Sequence, residues 1–300
     1  MIGLAIVAIV LANLLGGSTY LAQKIALEGL PPATVTLLRT VIAMACMVVW
    51  VMFTGGFRFR FTRGETLRMA LLGVVAFALP TLCGIIGLRW STAGNGSILI
   101  LLEPGAILVF SFLLLGEHIR RLQVLGVLIG LAGAGAIVLE DAALADLFVA
   151  EHARGNLILA LHGVLWGLYS PLVKPLAVKH RPIDITFVSM AFGLLLLVPA
   201  ALFETDGWVA GPHLAEALWW TLALGVLGSF AAVLLWNWSL VHLRSSTVAP
   251  FVFLQPLAGV LAGHFVLGEV LSEATLLGGT LIAVGVVAVI YPGSRRAAAV

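Results

Sequence analysis

The sequence has 300 residues, of which 61% are hydrophobic and only 10% are charged, and its mean hydropathy is +1.14. A soluble globular domain carries about 25% charged residues, so this composition cannot supply a water-facing surface. The formal net charge of +2 is too small to indicate a nucleic-acid partner. The chain is therefore predicted to lie in a lipid bilayer.

Ten predominantly apolar runs follow one another along the chain. Each approaches the roughly 20 residues that a helix needs to cross about 30 Å of hydrocarbon. We predict them at 2–24, 33–54, 66–89, 93–115, 122–139, 156–176, 184–203, 214–240, 246–267 and 273–292. Prolines separate some of them, as at Pro31-Pro32, because the residue before proline disfavours helix. The expected fold class is an all-α integral membrane protein with ten transmembrane helices.

The distribution of basic residues predicts the orientation, because cytoplasmic loops carry an excess of Lys and Arg. With the N-terminus inside, most basic residues fall in inner segments. These are Arg58, Arg60, Arg63, Arg68, Arg120, Arg121, Lys174, Lys179, Arg181, Arg244, Arg295 and Arg296. The outer loops are acidic instead, as at Glu140-Asp141. We therefore expect a multi-pass protein of the cell (inner) membrane with both termini cytoplasmic.

An internal repeat relates the two halves of the chain. A shift of 152 residues aligns Glu103 with Gln255, Pro104 with Pro256, Gly126 with Gly278 and Gly133 with Gly285. Each half holds five spans, and an odd number makes the second half enter the membrane from the opposite side. We predict two inverted five-helix repeats, residues 1–140 and 154–293. Transporters with such repeats bind substrate near the midplane between the halves.

Several short motifs lie along the chain. They are Leu15-Gly16-Gly17-Ser18-Thr19-Tyr20, Leu38-Arg39, Ser91-Thr92-Ala93-Gly94-Asn95-Gly96-Ser97, Leu102-Glu103-Pro104 and Leu114-Leu115-Gly116-Glu117. These motifs resemble those of EamA-type permeases. The resemblance covers nearly the whole chain and implies the drug/metabolite transporter superfamily, with ten helices around a central cavity. It also implies export of amino acids or related metabolites as the commonest activity. The usual Trp-Gly pair of the first helix is Gly16-Gly17 here, whereas Trp166-Gly167 keeps it in the sixth.

Glu103, near the centre of the fourth predicted span, is the leading candidate for the substrate site. A charge there costs about 2.5–3.5 kcal/mol on insertion scales, and protonation or a cationic partner reduces that cost. Three roles stay open: pairing with a substrate ammonium, carrying a proton, or a neutral hydrogen bond to backbone freed by Pro104. Its repeat mate Gln255 can bind substrate but cannot titrate. No cofactor is expected, and proton coupling stays open.

The remaining site candidates are polar or aromatic residues within spans and two prolines. They are Tyr20 in the first span, Asn95 in the fourth, His162, Trp166 and Tyr169 in the sixth, and Asn237 in the eighth. Aromatic walls with polar tips suit an amino acid or an aromatic solute. The same residues also suit interhelical hydrogen bonds, packing or an aromatic belt. Pro104 and Pro256 kink the fourth and ninth helices, either for gating or for static packing.

Other polar and small residues have less specific roles. Lys24 and Lys174 are expected to snorkel to the headgroups or to act as gates. Arg39 lies deeper in the second span and needs a partner that the sequence does not identify. Gly126 and Gly130 form a GxxxG step that packs helices within or between subunits.

The leading hypothesis is a secondary transporter that exports amino acids or related small metabolites by alternating access, and the alternative is a multidrug or cationic amine exporter. A passive channel or a scaffold would instead show unsaturable flux or none. An enzyme is not expected, since the chain has no HExxH, no GxSxG and no paired aspartates within spans. No metal site is expected. A small-molecule substrate and the lipid bilayer are the expected partners, with a monomer or a homodimer left open.

Overall fold

The structure is a computed structural model that describes residues 1–141, 147–204, 212–267 and 272–290. Within these residues there is no strand, and the helices group into ten segments, α1 to α10. The continuous ones are α1 (Ile2–Ala26), α2 (Pro32–Phe53), α5 (Arg121–Asp141), α6 (Ala153–Ala177), α7 (Pro182–Leu202) and α10 (Glu273–Ile290). The composite ones are α3 (Arg63–Gly73, Val74–Ala78, Leu79–Arg89), α4 (Ala93–Leu99, Leu102–Leu115), α8 (Pro212–Ala223, Leu224–Ala232, Val233–His242) and α9 (Ser245–Val248, Ala249–Phe253, Leu254–Leu267). The predicted all-helical class is confirmed.

Two of the ten helices change their hydrogen-bond pattern within the membrane, because α4 is interrupted at residues 100–101 and α9 passes through the 3₁₀ segment Ala249–Phe253. Over the described ranges, eight helices are long and apolar enough to span it, and α4 and α9 contribute the shorter apolar helices Leu102–Leu115 and Ser245–Leu261. The spans predicted at 93–115 and 246–267 each correspond to more than one helical segment, and each contains a proline that is predicted to kink the helix. The cause lies near Pro104 and Pro256, which have no backbone N–H to continue the helix. In a regular α-helix the Ile100 carbonyl would accept from residue 104. Because Pro104 has no N–H, this carbonyl accepts from the Glu103 backbone N–H at 2.9 Å.

Two other helices contain wide π-helical turns, in which an N–H bonds to the carbonyl five residues back and not four. In α3 the turn is Val74–Ala78, where the Leu79 N–H bonds back to the Val74 carbonyl. In α8 it is Leu224–Ala232. Such turns redirect side chains, and in α8 they bring small residues against α2. Hydropathy alone does not reveal these turns, because their residues are as apolar as those of the α-helical turns beside them.

α5 and α10 pack closely along their lengths through glycines. A Cβ at Gly126 would stand 2.8 Å from the Gly285 carbonyl oxygen, and one at Gly133 would stand 2.5 Å from that of Gly278. Only glycine allows the two backbones to approach so closely. The ring of Phe253 from α9 fills the space opposite Gly130. The GxxxG step therefore packs helices within this chain.

The outside of the helix bundle is apolar, whereas many polar side chains lie inside. Phe53, Leu202 and Phe203 are 85%, 77% and 83% exposed, which suits contact with lipid. In contrast Asn237 and Ser246 are fully buried. This inversion of the usual soluble pattern is typical of a membrane protein, in which buried polar groups must be satisfied by one another.

Candidate substrate site

Glu103 lies in the first turn of the second part of α4, directly after the break in that helix. The residue is 7% exposed. Within the described ranges no side chain or backbone group forms a hydrogen bond or ion pair with its carboxyl group. The third predicted role, a hydrogen bond to backbone freed by Pro104, is not observed. A buried carboxyl without a protein partner suits a proton or a bound cation.

Glycines bring α6 against α4 at the level of Glu103. A Cβ at Gly167 would stand 3.0 Å from the Glu103 carbonyl oxygen and would also strike Ala106. Gly17 of α1 has the same role against α9, where a Cβ would stand 2.8 Å from the Gln255 Cα. Glu103 and Gln255, which the shift of 152 residues aligns, thus lie at equivalent crossings, of α4 with α6 and of α9 with α1.

Gln255 is held by a residue that the sequence analysis did not single out. Its Nε2 donates to Asn13 Oδ1 of α1 at 3.1 Å, and Asn13 Nδ2 donates to the Ile9 carbonyl at 2.7 Å. Asn13 is 1% exposed. A lone amide in the middle of an apolar helix was the available signal, since such an amide requires a buried partner.

Tyr169, Asn237 and Thr186 form a buried cluster that joins three helices. Asn237 Nδ2 of α8 donates to the Tyr169 hydroxyl of α6 at 2.9 Å and to Thr186 Oγ1 of α7 at 2.8 Å. Next to it, Trp236 Nε1 donates to Ser170 Oγ at 3.0 Å. This hydrogen bond joins α8 to α6 within the bundle. These hydrogen bonds favour the interhelical role over direct contact with substrate.

Trp166 and His162 lie on α6 and contact α3. The Trp166 ring packs edge-on against Phe77, with centroids 6.2 Å apart, and is tilted against Tyr169 at 6.1 Å. His162 Nδ1 lies 2.6 Å from the Pro80 carbonyl oxygen, beside the π-helical turn of α3. Trp166 is half-buried one position before Gly167, whereas the contact of His162 favours its structural role.

Asn95 lies at the start of α4, away from the break. Its Nδ2 donates to Ser91 Oγ and to Asn156 Oδ1 of α6, both at 3.1 Å, and its backbone N–H is capped by Thr92 Oγ1. These contacts fasten α4 to α6 and favour the interhelical reading. The side chain of Tyr20 lies outside the part of the chain that the structure describes.

The EamA-like transporter family matches this chain over residues 3–139 and 153–291. The chain belongs to this family. It is accordingly an integral membrane transporter and not an enzyme.

Curated relatives of this EamA transporter cover nearly all of its length. An uncharacterized transporter of Archaeoglobus fulgidus is 26% identical over 92% of this chain and 93% of its own. A Streptantibioticus cattleyicolor protein named "Probable terminal-alkyne amino-acid exporter" is 24% identical over 94% of this chain and 92% of its own. One solved crystal structure superposes with a TM-score of 0.82 at 22% identity and covers 98% of both chains, which shows a shared fold.

The EamA transporter also contains partners for Arg39 that its sequence did not identify. Arg39 Nε donates to Ser229 Oγ of α8 at 2.8 Å, and its Nη1 lies 3.5 Å from Gln23 Oε1 of α1. Gly228, in the same π-helical turn as Ser229, leaves room for the guanidinium. The wide turn of α8 thus accommodates a charge from α2.

A buried polar cluster caps the junction of α8 and α9. Glu117 Oε1 accepts from the Ser245 N–H at 3.0 Å, and Oε2 accepts from the Ser246 N–H at 2.9 Å and from its hydroxyl. Lys174 Nζ donates to the carbonyls of Leu240 and Leu243 at 2.7 and 2.9 Å. Because Lys174 is only 7% exposed, its predicted snorkelling to the headgroups is wrong.

Proposed function

We propose that this EamA transporter exports amino acids or related small metabolites across the cytoplasmic membrane by alternating access, as a secondary transporter. The observation that carries the proposal is the buried Glu103 carboxyl, which has no bond to any described residue and lies at the break of α4. An ammonium group would balance this charge. The printed name of the Streptantibioticus cattleyicolor relative, an amino-acid exporter, supports the same substrate class.

Matched helix crossings support two inverted repeats. A shift of 152 residues converts Glu103 and Ala106 of α4 into Gln255 and Ala258 of α9. The first pair packs against Gly167 and the second against Gly17. These glycines are themselves matched by a shift of 150 residues. Such exchange of equivalent contacts is what a two-fold relation between halves produces.

Two further features support the repeat bounds 1–140 and 154–293. The π-helical turns of α3 and α8 begin at Val74 and Leu224, which the shift of 150 residues also aligns. The two ranges matched by the family, 3–139 and 153–291, nearly coincide with the proposed halves. Two similar halves that exchange conformations would open a midplane site to one side and then to the other.

Counterflow in proteoliposomes tests the substrate class. Liposomes that hold the purified full chain and one unlabelled amino acid should accumulate the same labelled amino acid from outside. Glu103→Gln should reduce this exchange about 10- to 100-fold, because a hydrogen bond to a charged group contributes about 1.5–3 kcal/mol. Glu273→Gln, which changes an exposed carboxyl in the first turn of α10, should leave the exchange unchanged. An absence of amino-acid exchange by the wild type would contradict the proposal.

A cationic amine exporter is the second candidate, and the buried Glu103 carboxyl favours it equally. The same liposomes are loaded with quaternary amines instead of amino acids. If the amines exchange saturably and the amino acids do not exchange, the cationic amine exporter replaces the leading proposal.

Proton coupling is tested by adding a pH gradient. If Glu103 carries the coupling proton, Glu103→Gln should abolish accumulation driven by the gradient and preserve counterflow. If the residue binds the substrate ammonium, the same substitution should weaken both. The two measurements therefore distinguish the two roles of one carboxyl group.

A further inference from the structure

The loop between α2 and α3 alternates aromatic and basic residues. Phe57, Arg58, Phe59, Arg60 and Phe61 follow one another in an irregular, non-helical stretch. The Phe57 and Phe59 rings stack on one another, so these two side chains lie on one side of the loop. Arg58, Phe59 and Arg60 are exposed, whereas Phe57 and Phe61 are half-buried against the helix bundle. The loop thus presents an apolar side to the protein and a cationic side to its surroundings.

The aromatic side of this loop is fixed to α7. The Phe57 ring lies 4.8 Å from that of Phe59 and 4.4 Å from that of Phe187. The Phe61 ring packs edge-on against His180 at 4.8 Å. Loop backbone is also bound, because the Arg58 N–H donates to Asp184 Oδ1 at 3.2 Å. The arginines therefore project from a well-supported segment.

An open apolar groove begins beside Phe59 and follows α7. Its volume is about 310 Å³, and its walls are Phe59, Phe187, Val188, Ala191, Phe192 and Leu195. Leu195 lies eight residues beyond Phe187, a rise of about 12 Å along the helix. That length is comparable to half of the hydrocarbon core, about 15 Å. This phenylalanine groove thus has the length of one acyl chain within a single leaflet.

The charge beside the groove is strongly positive. Arg58, Arg60, Arg63 and Arg68 are exposed, and within the described ranges no carboxylate forms an ion pair with them. The two nearby acids are occupied by other groups. Glu65 contacts Thr62, Lys179 and His180, while Asp184 contacts Arg58 N–H and Arg181. A phosphate group would complement this surface.

We infer that the loop and the phenylalanine groove form a binding site for one anionic phospholipid. Arg58 and Arg60 bind its phosphate headgroup, and the groove along α7 holds one acyl chain. Basic residues next to membrane helices attract anionic lipids in general, and the adjoining groove makes this site specific for a whole lipid. The inference is independent of the transported substrate.

Native mass spectrometry of the full chain in detergent, titrated with phosphatidylglycerol or phosphatidylcholine, tests the inference. The first phosphatidylglycerol should bind about 10-fold more tightly than phosphatidylcholine. Arg58→Gln with Arg60→Gln should weaken phosphatidylglycerol binding about 30-fold. The control pair Arg120→Gln with Arg121→Gln removes the same charge elsewhere and should leave binding unchanged. Equal binding of the two lipids, or an equal loss in the control pair, would overturn the inference.

A second pair of variants tests the groove. Ala191→Phe fills it and should weaken the binding of phosphatidylglycerol, whereas Ala283→Phe adds the same ring to an exposed face of α10 and should not. Glycerol 3-phosphate in excess should not displace the lipid, because it has no acyl chain. Unchanged binding by Ala191→Phe, or displacement by glycerol 3-phosphate, would show that phosphate alone is recognised and would overturn the proposed site.

Discussion

At the scale of single residues, Glu117 is the clearest case of a buried charge that stabilises a helix end. Its two oxygens accept from two backbone N–H groups at the start of α9, where the helix dipole favours negative charge. Glu117→Gln replaces one acceptor with an amide donor and should cost about 1–3 kcal/mol. Denaturation midpoints of the purified protein measure this loss. The exposed carboxyl of Glu273 is the control, and an equal effect of Glu273→Gln would contradict the capping role.

Residue types revealed which side chains need partners, but not which partners they have. The charge of Arg39 within a span required a hydrogen-bond partner, and Ser229, 190 residues away, provides it. The sequence places Lys174 at the headgroups or at a gate, whereas in the structure its ammonium bonds to a carbonyl 66 residues away. Local periodicity describes neighbours within one helix, whereas these pairs depend on how separate helices pack.

At the scale of helices, the contact between α5 and α10 depends on glycine. A side chain at Gly133 would collide with the Gly278 backbone, so Gly133→Leu should separate the helices and cost about 1–3 kcal/mol. Gly135, on the same helix, has no atom within 4 Å of a built Cβ, and Gly135→Leu should be tolerated. Thermal midpoints of both variants provide the measurement. Equal destabilisation would mean that helix propensity, and not packing, determines the result.

Hydropathy predicted where most helices lie, but it did not predict where they break. The expected span 33–54 corresponds to Pro32–Phe53, and the expected span 184–203 corresponds to Pro182–Leu202. In contrast, the interruption of α4 and the 3₁₀ segment of α9 depend on which carbonyls lose a donor near Pro104 and Pro256. The prolines marked these positions, but the change to Ala249–Phe253 as a 3₁₀ segment depends on tertiary packing that composition does not describe.

At the scale of the whole molecule, the two proposed repeats make a strict prediction about sidedness. Arg120 and Ser272 are matched by the shift of 152 residues, and five helices, α5 to α9, lie between them. An odd number of crossings puts matched positions on opposite faces. We expect Arg120→Cys to be labelled only from the cytoplasm and Ser272→Cys only from outside. An impermeant maleimide applied to intact and to permeabilised cells makes the measurement in a background without Cys46 and Cys83.

The same labelling separates the orientation from the inversion. Glu151→Cys, in the connection before α6, is the outer-face control and should react like Ser272→Cys. If all three positions react with their sides exchanged, the excess of basic residues has predicted the wrong orientation, but the halves are still inverted. If Arg120→Cys and Ser272→Cys react from one side, the halves are parallel, and the matched crossings at Glu103 and Gln255 do not reflect a two-fold axis in the membrane plane. Alternating access by exchange between inverted halves would then lose its physical basis, because the interruption of α4 and the 3₁₀ segment of α9 would face the same side of the bilayer.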